Sequence, residues 1–392
     1  MAVLYIFDEI IDIMQPLRFL RLFQVKSKNG EIKFNKMLVY QLGIIAFYLE
    51  FLGVIVAIFQ HYYIRGIGGI KPLFTLAVLM LLTILRNYFM HRNGQRIASI
   101  LNQLEKIFPR SLELQQHYEL DAMVKRVRRH FRIFEIFIII GIVGFEAKAF
   151  YSFVLIFCSG NSLNDDCFPI PSWYPCDLKH SYAWYPFIFI IQIFVALSGA
   201  LFTMNWNHTY SMVLTLICEH YKYMAKIFSE IDAKESNSGL TSRKLLERIH
   251  GLMNHLQLLD NLCDDTNVAF VTPLIIIDAI CVTTICLPAF LISNEHFFSI
   301  AQHVVPAIVI IWTVYETSCC GEMLEQAVHI FNDVGDGIYN HNWYEGSMDH
   351  RKLVLMLLQW RSEPRRLSWA KSFFSIKLSY FNQLYSFQRS IQ

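Results

Sequence analysis

Long apolar stretches and clusters of positive charge alternate along this chain, and this alternation constrains its fold more than any other feature. Of the 34 lysines and arginines, 28 fall in the segments 1–40, 86–132, 217–264 and 331–371. The loops between these segments carry few such residues. Because lysine and arginine are enriched in the cytoplasmic loops of membrane proteins, the pattern predicts a multi-pass membrane protein with a cytoplasmic N-terminus.

Six apolar stretches are long enough to cross a bilayer as helices. They cover residues 38–59, 73–88, 131–157, 184–212, 268–292 and 304–317. A seventh candidate at 367–387 contains lysine, asparagine and glutamine, so as a spanning helix it must face water or protein rather than lipid. We therefore expect an all-α membrane protein, a single domain over 1–392, with seven transmembrane helices and an extracellular C-terminus.

Helical patterns continue beyond the cytoplasmic ends of these spans. Residues 205–232, 241–265 and 322–334 combine charges with apolar residues spaced three and four apart, which is typical of amphipathic helices that pack on one another in water. We expect a helical cytoplasmic anchor region, formed by 205–267 and 318–366 and continuous with the spans.

Composition and motifs exclude most soluble functions. With 54% hydrophobic and 17% charged residues, the chain is too apolar for a soluble protein of 392 residues. Phosphate-binding loops, nucleophile elbows and metal-ligand spacings do not occur in the sequence, so we expect no enzyme, metal site or cofactor. The net charge of +2 gives no reason to expect a nucleic-acid partner.

Cysteines and intramembrane charges leave alternatives open. Cys158, Cys167 and Cys176 lie in the predicted outer loop between the third and fourth spans, where oxidation is possible. The sequence leaves open whether two of them form a disulfide. Glu146 and Lys148 fall within the third span, and Asp278 falls within the fifth. Because an isolated charge in hydrocarbon is costly, these side chains are expected to face a cavity, a partner or one another.

The seventh segment carries a stripe of small polar residues on one helix face. Its members recur at alternating spacings of three and four: Ser372, Ser375, Ser379, Asn382 and Ser386. Such a stripe suits either a close helix-to-helix seam or the wall of a hydrated pore.

About 50 residues near the C-terminus carry recognisable motifs. Residues 334–345 (VGDGIYNHNWYE), followed by Arg351-Lys352-Leu353 and Ser362-Glu363-Pro364, resemble the stretch between the last two spans of the insect odorant receptor family. Residues 377–381 (KLSYF) resemble the core of its last helix.

The resemblance implies a ligand-gated, non-selective cation channel of the plasma membrane, in which four subunits surround a central pore. Each subunit lines that pore with its last helix, here 367–390. The loop 217–264 is shorter than in co-receptors of this family, so the chain resembles an odour-tuning subunit that assembles with co-receptor subunits. The expected pore residues are Ser379, Asn382, Gln383, Ser386 and Phe387, with the family's hydrophobic gate corresponding to Gln383 and Phe387.

The resemblance also implies a site for a small volatile odorant in the outer half of the bundle, among spans two, three, four and six. The residues expected there are Phe74, Val78, Phe150, Phe153, Val154, Phe189, Gln192, Ile193, Ile308 and Trp312. Such a site captures a volatile by apolar burial, worth about 25 cal/mol per Å², with one or two polar groups such as Gln192.

Three alternatives remain open at this level. A gustatory receptor channel of the same superfamily differs in the ends of its last helix, where this chain has Ser379-Tyr380 and Gln383-Leu384. A G-protein-coupled receptor has an extracellular N-terminus, a DRY triplet and an NPxxY motif. The sequence lacks both motifs. A transporter is disfavoured because no inverted repeat is visible. The sequence does not identify the odorant.

Overall fold

The computed structural model describes residues 23–25, 32–34, 38–107, 115–116, 119–159, 167–175, 184–234, 239–294, 310–311, 313–315, 323, 326–327 and 329–361. The sixth predicted span is described only at 310–311 and 313–315. The seventh predicted span lies outside the described residues.

A short antiparallel hairpin precedes the helices. Its strands are β1 (Phe23–Val25) and β2 (Ile32–Phe34), with Gln24 opposite Lys33. Each strand has three residues, and the other secondary-structure elements of the described residues are helices.

The first two predicted spans lie in one long helical stretch that folds back on itself. This stretch, α1, covers Leu38–Ile107, and a straight helix of its 70 residues would be about 105 Å long. The hydroxyl of Tyr40 nevertheless donates a hydrogen bond to the side-chain carbonyl of Asn87, 47 residues away. The chain must therefore reverse between the two apolar parts of α1, where the sequence has three glycines and a proline within residues 65–72.

The next helices are longer than a membrane is thick. Helix α2 (Leu120–Ser159) has 40 residues and α3 (Tyr185–Ser229) has 45, so they are about 60 and 68 Å long. A bilayer's hydrocarbon core is only about 30 Å thick. Both helices therefore extend beyond the membrane, as the charge pattern predicts for their cytoplasmic ends.

The fifth predicted span is continuous with a predicted anchor helix. Helix α4 (Gly239–Thr266) passes through a π-helical turn at Asn267–Val271 into α5 (Thr272–Asn294). Further along the chain, residues 329–340 are helical, a 3₁₀ turn covers Trp343–Glu345, and α6 covers Met348–Arg361.

Exposed apolar stripes mark the lipid-facing sides of these helices. Four helical stretches within the described residues are long and apolar enough to cross a membrane: Leu38–Ile64, Leu73–Ile107, Tyr185–Ser229 and Arg243–Cys286. Exposed hydrophobic side chains recur at spacings of three and four on α1 (Leu38, Leu42, Ile45, Leu49, Leu52, Val56, Phe59) and on α3 (Phe187, Ile190, Phe194, Leu197). In water such stripes would be unfavourable, whereas in lipid they are expected.

Polar exposed faces mark the part of the bundle that lies in water. On α4 the exposed side chains include Arg243, Glu247, Asn254 and Gln257, and exposed hydrophobic residues begin only at Val268. The change from polar to apolar exposure coincides with the π turn. The sequence places the boundary between the anchor region and the fifth span at the same residues, and the anchor region stays a prediction.

A dense aromatic core lies within and beside the predicted anchor region. Trp206, Tyr210, Tyr221, Phe228 and Phe270 are among the largest fully buried side chains, and residues 201–214 of α3 are buried on every side. A helix buried all round is expected at the centre of a bundle. Helix α3 is therefore the central element on which the others pack.

Candidate functional site

A cavity of about 150 Å³ lies among α1, α2, α3 and the segment 167–175. Its lining is mainly apolar: Phe47, Leu76, Leu79, Met80, Thr83, Phe137, Ile138, Gly141, Ile142, Phe145, Glu146, Pro169, Ile170, Val195, Ala196, Gly199, Ala200 and Thr203. A buried apolar cavity of this size in another protein binds benzene. The volume therefore suits a compact, mostly hydrocarbon molecule.

One face of α2 forms a wall of this cavity. The wall residues occur in pairs four positions apart, from Phe137 and Ile138 to Phe145 and Glu146, which places them on the same side of the helix. Gly141 lies in the middle of this wall, and no heavy atom lies within 4 Å of the position that a Cβ would take there. The missing side chain of Gly141 therefore leaves space in the cavity.

The opposite wall forms where α1 and α3 approach closely. A Cβ at Gly199 would lie 2.5 Å from a ring carbon of Phe47, so only glycine allows this packing. A Cβ at Gly43, one turn before Phe47 on α1, would lie 2.7 Å from the hydroxyl oxygen of Ser198. These contacts fix the two helices, and Val195, Ala196 and Ala200 then line the space beside them.

The segment 167–175 enters the bundle and forms the roof of the cavity through Pro169 and Ile170. The Gln192 side chain binds both backbone groups of Ile170: its amide donates to the Ile170 carbonyl at 2.6 Å, and its oxygen accepts from the Ile170 N–H at 3.3 Å. The Trp173 N–H donates to the Gly53 carbonyl of α1 at 3.0 Å. The roof is therefore attached to both α1 and α3.

A buried carboxylate organises the polar side of this roof. Glu50 of α1 is 5% exposed and accepts hydrogen bonds from the hydroxyls of Ser172 and Tyr174 and, at 3.1 Å, from Gln192. Burial, followed by the nearby Glu50 carboxylate, raises the pKa of the Tyr174 hydroxyl above its ordinary value of 10.0. Tyr174 therefore stays protonated and donates to Glu50.

Three of the predicted ligand residues instead form an aromatic cluster beside the roof. The ring of Phe153 stacks on Tyr185 with 3.8 Å between centroids, Phe189 lies 5.5 Å from Tyr185, and Phe150 lies 6.4 Å from Phe189. The Tyr185 hydroxyl donates to the carbonyl of buried Cys167. This cluster supports the first residue of the roof segment.

The other predicted ligand residues take different positions. Gln192 is fully buried in the roof network, Val78 is buried, Ile193 is half-buried, and Phe74 and Val154 are exposed. None of these described residues is in the cavity lining given above. Ile308 and Trp312 lie outside the described residues, as do the predicted pore residues Ser379, Asn382, Gln383, Ser386 and Phe387.

One residue of the cavity lining that the predicted ligand residues do not include carried a signal in the sequence. Glu146 is an ionisable residue within a span, and it lies four residues after Ile142 and five after Gly141 on the wall of α2. For Pro169 and Ile170 no local signal exists, because their place depends on contacts with α1 and α3.

The remaining intramembrane charges and the outer cysteines are only partly described. Lys148 is exposed, and the side chain of Asp278 lies outside the described residues. Cys158 is an exposed free thiol, so it forms no disulfide. Cys176 lies outside the described residues, so a pairing between Cys167 and Cys176 stays open.

Two buried polar pairs lie in the anchor region. A guanidinium nitrogen of Arg361 lies 3.2 Å from a carboxylate oxygen of Asp260, which also accepts a hydrogen bond from the Tyr221 hydroxyl at 2.6 Å. His341 and His350 face each other with 3.1 Å between their Nε2 atoms. Within the part of the chain that the structure describes, no cluster of side chains suits a metal ion.

Comparison with known proteins identifies the class. The family model of the 7tm Odorant receptor matches residues 72–388, so this chain belongs to the odorant receptor family. It is similar to odorant receptor 88a of Drosophila melanogaster, with 21% identity over 303 residues that cover 76% of this chain and 74% of that receptor. The relatives are receptors rather than enzymes.

The fold is that of a solved insect olfactory receptor. OR5 from Machilis hrabei in complex with eugenol matches with a TM-score of 0.69 at 12% identity, covering 99% of this chain and 96% of that one. A second structure of OR5 from Machilis hrabei matches with a TM-score of 0.67, covering 98% of this chain and 95% of that one. The prediction of an all-α membrane protein of the insect odorant receptor fold is confirmed, while the sidedness of its termini stays a prediction.

Proposed function

We propose that this chain is the odour-tuning subunit of a ligand-gated, non-selective cation channel of the plasma membrane. It assembles with co-receptor subunits into a tetramer, with the N-terminus in the cytoplasm and the last helix, 367–390, lining a central pore. Membership of the odorant receptor family and the cavity between α1, α2 and α3 are the observations that support this proposal.

The connection between α3 and α4 supports the tuning role. Helix α3 ends at Ser229 and α4 begins at Gly239, so the cytoplasmic link is short. Co-receptors of the family are expected to have an extended loop at this place. A tuning subunit needs a ligand site, and the cavity supplies one.

Burial of apolar surface provides the binding energy in this proposal. A compact volatile that buries about 200 Å² gains about 5 kcal/mol before the entropic costs of binding are subtracted. The ligand opens the pore only if it binds the open conformation more tightly than the closed one. Since the cavity is formed by three helices and a roof, a movement of α2 relative to α3 changes its volume and so couples to ligand affinity.

Voltage-clamp recording from cells tests this function. Cells that express the chain with a co-receptor should show cation current in response to at least one volatile of a broad panel, and cells with the co-receptor alone should not respond to that volatile. Saturable substrate uptake without channel-sized current would indicate a transporter and reject the proposal. A current that requires G-protein activity would reject it as well.

A charge placed in the pore tests the role of the last helix. Asn382→Asp should change the relative permeability for divalent and monovalent cations, because a carboxylate replaces an amide beside the passing ion. The matched control is Asn254→Asp on the exposed face of α4. Equal permeability ratios in the two variants would contradict the assignment of 367–390 to the pore.

A further inference from the structure

The cavity wall contains one ionisable side chain among its described lining residues, Glu146 of α2. Both carboxyl oxygens of Glu146 are shielded from water and have no hydrogen-bond partner among the described residues. The other buried carboxyl of the outer bundle, Glu50, accepts hydrogen bonds from three side chains. Buried polar groups in proteins are nearly always satisfied, so the lack of a protein partner at Glu146 needs an explanation.

Neighbouring polar groups do not supply that partner. The hydroxyl of Thr83, which also lines the cavity, donates to the Leu79 carbonyl of its own helix at 3.1 Å. Lys148 is two residues from Glu146, about 200° around the helix, and residues with this spacing do not face each other. Lys148 is exposed, whereas Glu146 lies at the cavity wall.

The chemical form of Glu146 follows from these surroundings. An ionised carboxylate without a cation in an apolar environment costs several kcal/mol, which the neutral acid avoids. A neutral carboxylic acid has an O–H group to donate. The ligand group that pairs with this O–H is a hydrogen-bond acceptor, which is most simply a carbonyl oxygen.

We infer that the cavity takes compact apolar ligands that carry one carbonyl group, and that Glu146 donates a hydrogen bond to this carbonyl as the specificity-determining residue. This inference rests on the proposed function of the cavity as the odour site. The hydrocarbon part of the ligand lies against Phe137, Met80 and Ala200, and the space at Gly141 sets its width.

Three probes of nearly the same shape test the inference: acetophenone, its hydrocarbon analogue α-methylstyrene, and the amine α-methylbenzylamine. Binding is measured on the chain assembled with its co-receptor in lipid nanodiscs, independently of current. The wild type should bind acetophenone about tenfold more tightly than α-methylstyrene, the value of one net hydrogen bond. Glu146→Leu should abolish that preference, so that acetophenone and α-methylstyrene bind with similar affinities.

The second variant distinguishes a neutral acid from a carboxylate. Glu146→Gln keeps a donor N–H and the side-chain length, so its preference for acetophenone should persist. If the wild type instead binds the amine most tightly and Glu146→Gln loses this binding, Glu146 is an ionised partner for cations and the inference is wrong. Equal affinities for acetophenone and α-methylstyrene in the wild type, or no binding of any probe, would also reject it.

Binding and current separate the two proposals. Selective binding of acetophenone without any odour-evoked current would support the inference at Glu146 and reject the channel function. Odour-evoked current with the same potencies in the wild type and in Glu146→Leu would support the channel function and reject the role of Glu146.

Discussion

The guanidinium of Arg361 lies 3.2 Å from the carboxylate of Asp260, and both side chains are almost completely buried, with exposures of 5% and 2%. This ion pair joins the C-terminal end of α6 to α4. The Arg361 guanidinium also lies 5.6 Å from the centre of the Tyr221 ring of α3. Three helices of the anchor region therefore meet at one charged pair, six residues before the predicted pore helix.

Breaking this pair should destabilise the protein strongly. Arg361→Leu leaves the Asp260 carboxylate buried without its cation, so the free energy of unfolding should fall by about 3–5 kcal/mol. Thermal unfolding of the purified protein measures the change. The exposed pair of Arg243 and Glu247 is the matched control, and Arg243→Leu should cost less than about 1 kcal/mol. Similar losses in the two variants would contradict a structural role for the buried pair.

A methyl group added at Gly337 should force the helical segment 329–340 away from α3. A Cβ at Gly337 would overlap the backbone carbonyl oxygen of Ala225, whereas nothing lies within 4 Å of a Cβ at Gly335. Gly337→Ala should therefore lower the free energy of unfolding by about 1–3 kcal/mol. Gly335→Ala should be neutral or slightly stabilising, because alanine favours the helix. Chemical denaturation of both variants checks this, and a stable Gly337→Ala protein would show that the segment packs differently.

Acid should weaken the contact between His341 and His350. The Nδ1 of His341 donates to the Ile338 carbonyl at 2.6 Å, so its Nε2 is the acceptor for His350 in the neutral pair. Burial lowers the pKa of both rings below 6.5, and for His350 the neighbouring His341 lowers it further.

The sign of the pH dependence follows from these lowered pKa values. The unfolded chain takes up protons near pH 6.5 while the folded pair resists them, so the contribution of this pair to the free energy of unfolding is constant above pH 6.5 and falls as the pH drops below it. His350→Asn should reduce this dependence, and His250→Asn on the exposed face of α4 should not. Thermal unfolding between pH 8 and pH 5 is the measurement. Identical profiles for wild type and His350→Asn would contradict the prediction.

The roof of the cavity should loosen without Gln192. Gln192→Leu removes the acceptor for the Ile170 N–H and a donor to Glu50, each loss costing about 1–3 kcal/mol in a buried site. Hydrogen exchange of the peptide 167–175, followed by mass spectrometry, should become faster. Gln257→Leu on the exposed face of α4 is the control. An unchanged exchange rate at Ile170 would mean that Gln192 does not hold the roof.

Hydropathy and charge were sufficient to predict most helices. Residues 241–265 were expected to be an anchor helix and 268–292 a span, and the structure has α4 and α5 there, with the π turn between them. Helical periodicity is a local property of the sequence, so helices can be predicted from it without knowledge of the tertiary fold. The continuation of α3 to Ser229 agrees with the predicted helix 205–232 for the same reason.

The position of the cavity could not be read from local patterns. It depends on the roof segment entering the bundle, and this is fixed by contacts such as that of Gln192 with Glu50, 142 residues apart in sequence. The predicted residues Phe153 and Phe189 pack under the roof segment instead of lining the cavity described above. The cavity on α2 lies deeper, from Phe137 to Glu146, and only Glu146 carried a sequence signal for it.

The most direct test of the odour site compares two glycines of α2 by odour-evoked current. Gly141→Leu fills the cavity, while Gly144→Leu, on the same helix and also without a neighbour within 4 Å, lies outside its lining. With the co-receptor present, Gly141→Leu should raise the half-maximal concentration of the best volatile about tenfold or more, and Gly144→Leu should leave it within about twofold. Equal responses of the two variants would contradict the assignment of this cavity as the place where the odour binds.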